Sequence, residues 1–135
     1  MNEAGKALGS AQSTSGEGYQ QRIQMGRHEL IADEPEAGGG QDLGPNPFAL
    51  VLAGLASCTG ITLQMYAQRH GWKLGALRVD VRRFLDGEQH RIERVLNFPP
   101  HVPSEQRTRL AEIAEKTPVT RALRAGFVIT TTVTG

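Results

Sequence analysis

The feature that most constrains this chain is an uncharged stretch of 26 consecutive residues, positions 43–68, in a sequence of 135 residues. Its interior contains small or polar residues such as Gly54, Thr59 and Gln64, whereas a membrane span needs about 20 predominantly apolar residues. We therefore predict a buried helix rather than a membrane span. A helix that is apolar on every side must be surrounded. Burial against a second copy of the chain, which we favour, and burial by the chain's own sheet both remain open.

Local signals define the ends of this helix. Asn46 is a preferred N-cap residue, and Pro47 occupies the first helical position, where its missing N–H costs nothing. Gly71 is a typical stop signal, so the helix is predicted to end near His70.

The elements before the helix are two strands and a loop. Alternation of side chains predicts a strand over residues 19–25, a turn at Gly26 and Arg27, and a second strand over 28–32. Residues 33–45 are rich in glycine and proline and are predicted to form a loop.

The elements after the helix are a hairpin, two helices and a strand. The dipeptide Asp86-Gly87 predicts a turn between a strand that begins near Leu77 and a strand over residues 89–98. The remaining predictions are a helix capped by Ser104 that ends near Lys116, a short helix over 119–125 capped by Thr117, and a strand over 127–133. This order predicts an α+β fold with antiparallel pairing.

Composition restricts the function classes. Fifteen Lys and Arg against 14 Asp and Glu give a net charge of +1, so no strong field is available to bind nucleic acid or an anionic membrane. The four histidines lack metal-ligand spacing, which predicts no metal site. The polar start of the sequence contains no apolar run, so we expect a cytoplasmic protein with a disordered tail over 1–17 and a single domain over 18–135.

Cys58 is the one cysteine and the strongest candidate nucleophile. A single buried cysteine commonly behaves as a small apolar residue, and this reading stays open. Reactivity would require a nearby cation, because the thiolate is the reactive form and a mid-helix position gains nothing from the helix dipole. The candidate cations on strands or turns are Arg22, Arg27, Arg78 and Arg82.

Three motifs in order carry a resemblance to a known family. The segments are RHELIADEP at 27–35, GPNPF at 44–48 followed by ASCT at 56–59, and KTPVTRAL at 116–123. Together they resemble the osmotically inducible protein C family (OsmC), which includes the organic hydroperoxide resistance proteins (Ohr). The resemblance covers residues 19–133, nearly everything but the tail.

The resemblance implies an intertwined homodimer in which an antiparallel sheet packs with a long, central, cysteine-bearing helix. It also implies thiol peroxidase chemistry on organic hydroperoxides, with Cys58 as the peroxidatic thiol and Arg27 as the arginine that holds the thiolate. On this basis the substrate pocket is expected to involve Phe48, Leu55, Thr59 and Thr117, with no cofactor and no metal.

Two positions depart from the family pattern. Thr117 stands where the family has its second, resolving cysteine, which excludes a two-cysteine cycle. Ala49 stands where an acidic residue orients the family's arginine, and Glu34 and Glu36 are the nearby carboxylates that could replace it. With these two departures, the resemblance implies a one-cysteine hydroperoxide reductase that depends on an external thiol. The alternative is a non-catalytic dimer that binds a small apolar ligand in its interfacial pocket.

Overall fold

The computed structural model describes residues 5–135, which fall into two compact units that divide between Val51 and Leu52. The boundary lies inside the longest helix, and each unit is described by itself. Residues 1–4, part of the predicted tail, lie outside the described residues. The prediction of a single domain over 18–135 stays a prediction.

The first unit contains a three-stranded antiparallel sheet. Its strands are β1 (Gln12–Ser15), β2 (Gln21–Met25) and β3 (His28–Ala32), in the order β1-β2-β3. Gly26 begins the turn between β2 and β3 with a φ of +61°, a conformation that glycine adopts without strain. The predicted hairpin is confirmed, although β2 begins two residues later than expected.

Strand β1 corrects the prediction of a disordered tail over residues 1–17 at positions 12–15. All four residues of β1 are exposed and polar, which is why composition indicated disorder. They pair with β2 in full register from Gln12↔Gln24 to Ser15↔Gln21. The Ser13 hydroxyl also donates to the Gln21 side chain at 2.7 Å. Backbone pairing therefore orders a segment that buries no apolar side chain.

The loop before the long helix is organised by a buried carboxylate, Asp33. Its side-chain oxygens accept hydrogen bonds from the backbone N–H groups of Glu34, Gln41 and Leu43 at 2.7, 3.2 and 3.2 Å. Burial raises the pKa of Asp33. The three backbone donors together lower the pKa by more than burial raises it, so it lies below the ordinary 3.8. Asp33 thereby fixes the chain as it approaches the helix.

The long helix α1 spans Pro47–Arg69. The Asn46 side-chain oxygen accepts the Ala49 N–H at 2.8 Å, which is the capping bond that the sequence predicts. Gly71 has a φ of +70° just beyond the end of the helix. Both predicted ends of the helix are confirmed to within one residue.

The second unit contains a two-stranded antiparallel sheet and two further helices. Strands β4 (Arg78–Asp86) and β5 (Gln89–Asn97) pair from Arg78↔Asn97 to Asp86↔Gln89, and Gly87 turns the chain with a φ of +62°. Helices α2 (Ser104–Ala114) and α3 (Pro118–Ala125) follow.

The core of this unit lies between α1 and α2. Its buried side chains are Leu63, Ala67, Leu74, Val102, Leu110 and Ala114, with Leu77, Leu96 and Phe98 packed against them. The architecture is α+β, with antiparallel sheets and one long helix, as the sequence predicts.

Two local predictions are wrong. Ser104 is not the cap of α2 but its first residue, because Pro103 occupies the capping position and no side chain caps the helix. Residues 127–133 form no strand, and Val128 and Val133 are more than 90% exposed. A strand requires a neighbour for its backbone hydrogen bonds, and within residues 5–135 none lies beside this segment.

Helix α1 is only partly covered. Its fully buried residues are Leu55, Thr59, Leu63 and Ala67, a single stripe with a spacing of four residues. Among the described residues, α1 is the one helix that is long and apolar enough to cross a membrane, with a mean hydropathy of 1.7 over a stretch of 18 residues. Length and composition alone do not distinguish a membrane span from the core helix of a globular protein. The exposed apolar residues of α1 therefore do not by themselves indicate a membrane.

Candidate functional site

The Cys58 side chain is half-buried in the middle of α1. Its Sγ lies 3.9 Å from the Thr62 Oγ1, one turn further along the helix. Thr59, the next residue, belongs to the buried stripe, whereas Ser57 is exposed. The thiol therefore lies at the boundary between the covered and the uncovered sides of the helix.

The uncovered side of α1 forms one wall of an open groove of about 440 Å³. No charged residue lines it; the lining residues are Ser57, Gly60, Ile61, Gln64, Met65, Gln68 and Leu77. Ile61 is 59% exposed and Met65 is 52% exposed, which is unusual for large apolar side chains on a helix that also contributes to the core. Such a surface suits an uncharged, largely apolar partner or ligand.

The covered side of α1 is contacted by an arginine whose side chain is largely buried. Arg94 projects from β5, and its side chain is only 11% exposed. Its Nη1 donates to the Thr59 Oγ1 at 3.0 Å and to the Thr120 Oγ1 at 2.8 Å, so one guanidinium joins α1 to α3. Its Nη2 donates to Glu115 at 3.2 Å. The positive charge of Arg94 is thus paired with Glu115, and its N–H groups donate to acceptors at defined positions.

Glu115 connects this arginine to α3. The Arg124 guanidinium also donates to the Glu115 carboxylate, and Arg124 Nη1 donates to the Glu115 backbone oxygen at 3.2 Å. Hydrogen bonds from Arg124 and then Arg94 lower the pKa of Glu115 below its usual 4.5, although burial opposes them. The carboxylate consequently stays charged and holds both guanidinium groups.

Thr117 is a buried structural residue. Its side chain is fully buried, and its Oγ1 accepts the Thr120 N–H at 3.3 Å as the N-cap of α3. The two hydroxyl oxygens of Thr117 and Thr120 lie 2.6 Å apart. The predicted capping role is confirmed, and this hydroxyl belongs to the same polar network as Arg94.

The predicted site residues divide between the two units. Leu55, Thr59 and Thr117 lie in the second unit with Cys58: the Leu55 carbonyl accepts from the Thr59 hydroxyl at 2.8 Å, and Thr120 with Arg94 connects Thr59 to Thr117. Arg27 and Phe48 lie in the first unit. Arg27 is exposed in the turn between β2 and β3, and Phe48 is 47% exposed in the first turn of α1. Their roles at Cys58 stay predictions.

Sequence reasoning missed Arg94, Glu115 and Thr120. One signal for Arg94 was available, because it alternates with Ile92 and Leu96 on one face of β5. A charged residue at an apolar-face position indicates a buried partner. Its partners, however, lie 35 and 26 residues away along the chain, beyond any local pattern.

Among residues 5–135, no group of three or more His, Cys, Asp or Glu side chains could hold a metal ion. The candidate site of the second unit consists of the Cys58 thiol, the uncharged groove and the paired charges around Arg94.

Fold and site together define a small α+β protein that presents a single, half-buried thiol from a long apolar helix. The chain belongs to the OsmC family, because a family profile described as OsmC-like protein matches residues 38–132. The recognition made from the three sequence motifs is confirmed.

Solved structures of the same fold are similar to this chain. The organic hydroperoxide resistance protein OhrB of Bacillus subtilis is 25% identical, with a TM-score of 0.62 over 87% of this chain and 93% of that chain. An organic hydroperoxide resistance protein from Elizabethkingia anophelis is also 25% identical, with a TM-score of 0.64 over 88% and 91% of the two chains. An OsmC-like protein from Mycoplasma pneumoniae has a TM-score of 0.76 over 88% and 89% of the chains, and at 16% identity it shows the fold alone. No curated protein matches this sequence.

Proposed function

We propose that this protein is a cytoplasmic, thiol-dependent reductase of organic hydroperoxides in oxidative-stress defence, with Cys58 as its peroxidatic residue. The observation that carries the proposal is the position of the thiol: it is half-buried on the cysteine helix of the family, at the boundary of the exposed side of α1. The nearby groove is uncharged, which suits an apolar hydroperoxide. Similarity to organic hydroperoxide resistance proteins at 25% identity supports the same reaction class.

The reaction uses one protein thiol. The Cys58 thiolate attacks one peroxide oxygen and the O–O bond breaks; the sulfur becomes a sulfenic acid, and the other oxygen leaves as an alkoxide that takes up a proton to form the alcohol. One external thiol then condenses with the sulfenic acid, releasing water and forming a mixed disulfide. A second external thiol reduces this disulfide, regenerates Cys58 and leaves as the oxidised external disulfide.

The external thiol follows from Thr117. Its hydroxyl caps α3 and cannot form a disulfide, and Cys58 is the one cysteine of the sequence. The sulfenic acid must therefore be resolved by a thiol from outside the chain.

We also propose that the protein acts as a homodimer in which α1 packs against its counterpart. The exposed Ile61 and Met65 would be covered in such a dimer, as would apolar residues of the unpaired segment 127–133. In this arrangement Cys58 borders the interface, and Arg27 and Phe48 complete the pocket as the family resemblance implies.

The second candidate is a dimer that binds a small apolar ligand without turnover. It is favoured by the structural role of Thr117, because an active family member would require another way to resolve Cys58. The uncharged groove serves this function equally well.

Consumption of cumene hydroperoxide in the presence of dithiothreitol separates the two candidates. The proposal predicts turnover by the wild-type protein and its loss in both Cys58→Ser and Cys58→Ala. Ser104→Ala changes an exposed serine that caps no helix. It is the control for a substitution away from Cys58 and should match the wild type. Equal consumption by wild-type and Cys58→Ala proteins would exclude Cys58 as the nucleophile. Wild-type consumption at the rate of buffer with dithiothreitol would favour the ligand-binding candidate.

A further inference from the structure

The rotation of α1 about its own axis decides how far the Cys58 thiol is buried. Consecutive residues of an α-helix point about 100° apart, so a rotation that uncovers Thr59 carries Cys58 with it. Thr59 is fully buried and Cys58 is half-buried. Whatever fixes the Thr59 side chain therefore also fixes the exposure of the thiol.

Thr59 is held from two sides. Its hydroxyl donates to the Leu55 carbonyl of the preceding turn at 2.8 Å and accepts from Arg94 Nη1 at 3.0 Å. The first bond lies within α1 and moves with the helix. The bond from Arg94 is the one that ties Thr59 to another element, and the planar guanidinium gives it a defined direction.

Arg94 is itself held in place by other groups. The Thr120 hydroxyl accepts from the same nitrogen at 2.8 Å, and the Glu115 carboxylate accepts from Nη2 at 3.2 Å. Thr120 is anchored in turn by Thr117 and by the Ala114 carbonyl. The guanidinium is thus pre-positioned by α3 and the segment before it, and Thr59 is the α1 residue that it binds.

We propose that Arg94 is a positioning residue for Cys58: by binding Thr59 it fixes the rotation of α1 and thereby keeps the thiol half-buried at the boundary of the exposed side of α1. The inference rests on the proposed function in taking Cys58 as the reactive group. It assigns Arg94 no contact with the substrate and no direct contact with the sulfur.

The test is the rate of alkylation of Cys58 by iodoacetamide, measured across a range of pH in the full-length protein. At high pH, where the thiol is fully ionised, the plateau rate constant reports how accessible the sulfur is. Thr59→Val keeps the size of the side chain and removes the acceptor for Arg94, so the turn around Cys58 should open more often. We expect a rise of about threefold or more in the plateau rate, and a rise of threefold corresponds to ~0.65 kcal/mol.

Thr59→Ser distinguishes positioning from packing. Serine keeps the hydroxyl and loses the methyl group, so the plateau rate should stay within about twofold of the wild type, a difference below ~0.4 kcal/mol. A packing role for Thr59 predicts the reverse order, because serine leaves a cavity and valine does not. A larger effect in Thr59→Ser than in Thr59→Val, or no effect in Thr59→Val, would overturn the proposal.

Arg94→Met should raise the plateau rate as Thr59→Val does, and the double variant should show no further rise, since both changes remove one interaction. If the rise in the double variant equals the product of the two single rises, Arg94 acts by a route that does not pass through Thr59, contrary to the proposal. If Arg94→Met does not fold, the two Thr59 variants decide the question.

Arg109→Met is the matched control. Arg109 Nε donates to the Tyr66 hydroxyl at 2.8 Å, so this change removes an arginine bond to α1 away from Cys58. It should leave the alkylation rate within about twofold of the wild type, a difference below ~0.4 kcal/mol. A rise equal to that of Arg94→Met would mean that any loosening of α1 exposes the thiol, which would contradict a specific role for Arg94. Alkylation needs no hydroperoxide, so an inactive wild-type protein would refute the proposed function and leave this inference standing on its own test.

Discussion

Replacing Thr117 by valine tests why a threonine occupies the position where the family has its second cysteine. Valine keeps the shape of the fully buried side chain and removes the Oγ1 that caps α3. Loss of an N-cap costs about 1 kcal/mol, and loss of the hydrogen bond with the Thr120 hydroxyl costs about 1 kcal/mol more. Thr120 keeps the Ala114 carbonyl and Arg94 as partners, so no buried hydroxyl is orphaned. The expected decrease in the free energy of unfolding is therefore about 2 kcal/mol.

Thr117→Ser is the matched comparison, because serine keeps the capping oxygen and loses one methyl group, at a cost of about 0.8 kcal/mol. Urea denaturation at one fixed protein concentration should rank the wild type above Thr117→Ser, and Thr117→Ser above Thr117→Val. If Thr117→Val is as stable as the wild type, or more stable than Thr117→Ser, the hydroxyl has no capping role and the argument for a structural threonine fails.

Three further predictions concern the loop, the dimer and acid stability. Gly44→Ala should destabilise the protein by about 1–3 kcal/mol in urea denaturation, because a Cβ there overlaps the Ile31 carbonyl oxygen, whereas Gly9→Ala should be neutral because its surroundings are open. Ile61→Asp should convert the proposed dimer to a monomer in light scattering; a dimer mass unchanged from that of the wild type would place the interface elsewhere. The amides bound by Asp33 should lose hydrogen-exchange protection as the pH falls below its ordinary pKa of 3.8, since its lowered pKa stabilises the folded loop above that value; unchanged protection there would contradict the role of the carboxylate.

The parts of the fold that depend on local chemistry could be predicted from sequence. Asn46 and Pro47 begin α1 through contacts within one turn, and Thr117 caps α3 in the same way. Gly26 and Gly87 place the two hairpin turns because each adopts a positive φ. These signals act over a few residues, which is the range that a single sequence displays.

The wrong predictions have specific physical causes. Residues 127–133 have strand-forming side chains, but pairing needs a neighbouring strand that propensity cannot supply. The polar β1 shows the converse, because backbone pairing with β2 orders it without apolar side chains. Ser104 is a good capping residue in isolation, yet the helix begins at Ser104 itself, after Pro103.

The candidate site was predicted unevenly for the same reason. Cys58 and Thr117 are identified by motif and by local capping, respectively. Arg94 gains its meaning from Thr59 and Thr120, which the fold brings together from distant parts of the chain. The alternation of Arg94 with Leu96 on β5 is the sequence pattern that would indicate such an arginine in related proteins.

A single-turnover reaction tests whether Cys58 is the peroxidatic residue. The reduced protein is mixed with one equivalent of cumene hydroperoxide, the sulfenic acid is trapped with dimedone, and the product is mapped by mass spectrometry. We expect one adduct per chain, located at Cys58, together with loss of the hydroperoxide and formation of an equal amount of the alcohol. An unmodified Cys58 with the hydroperoxide intact would contradict it.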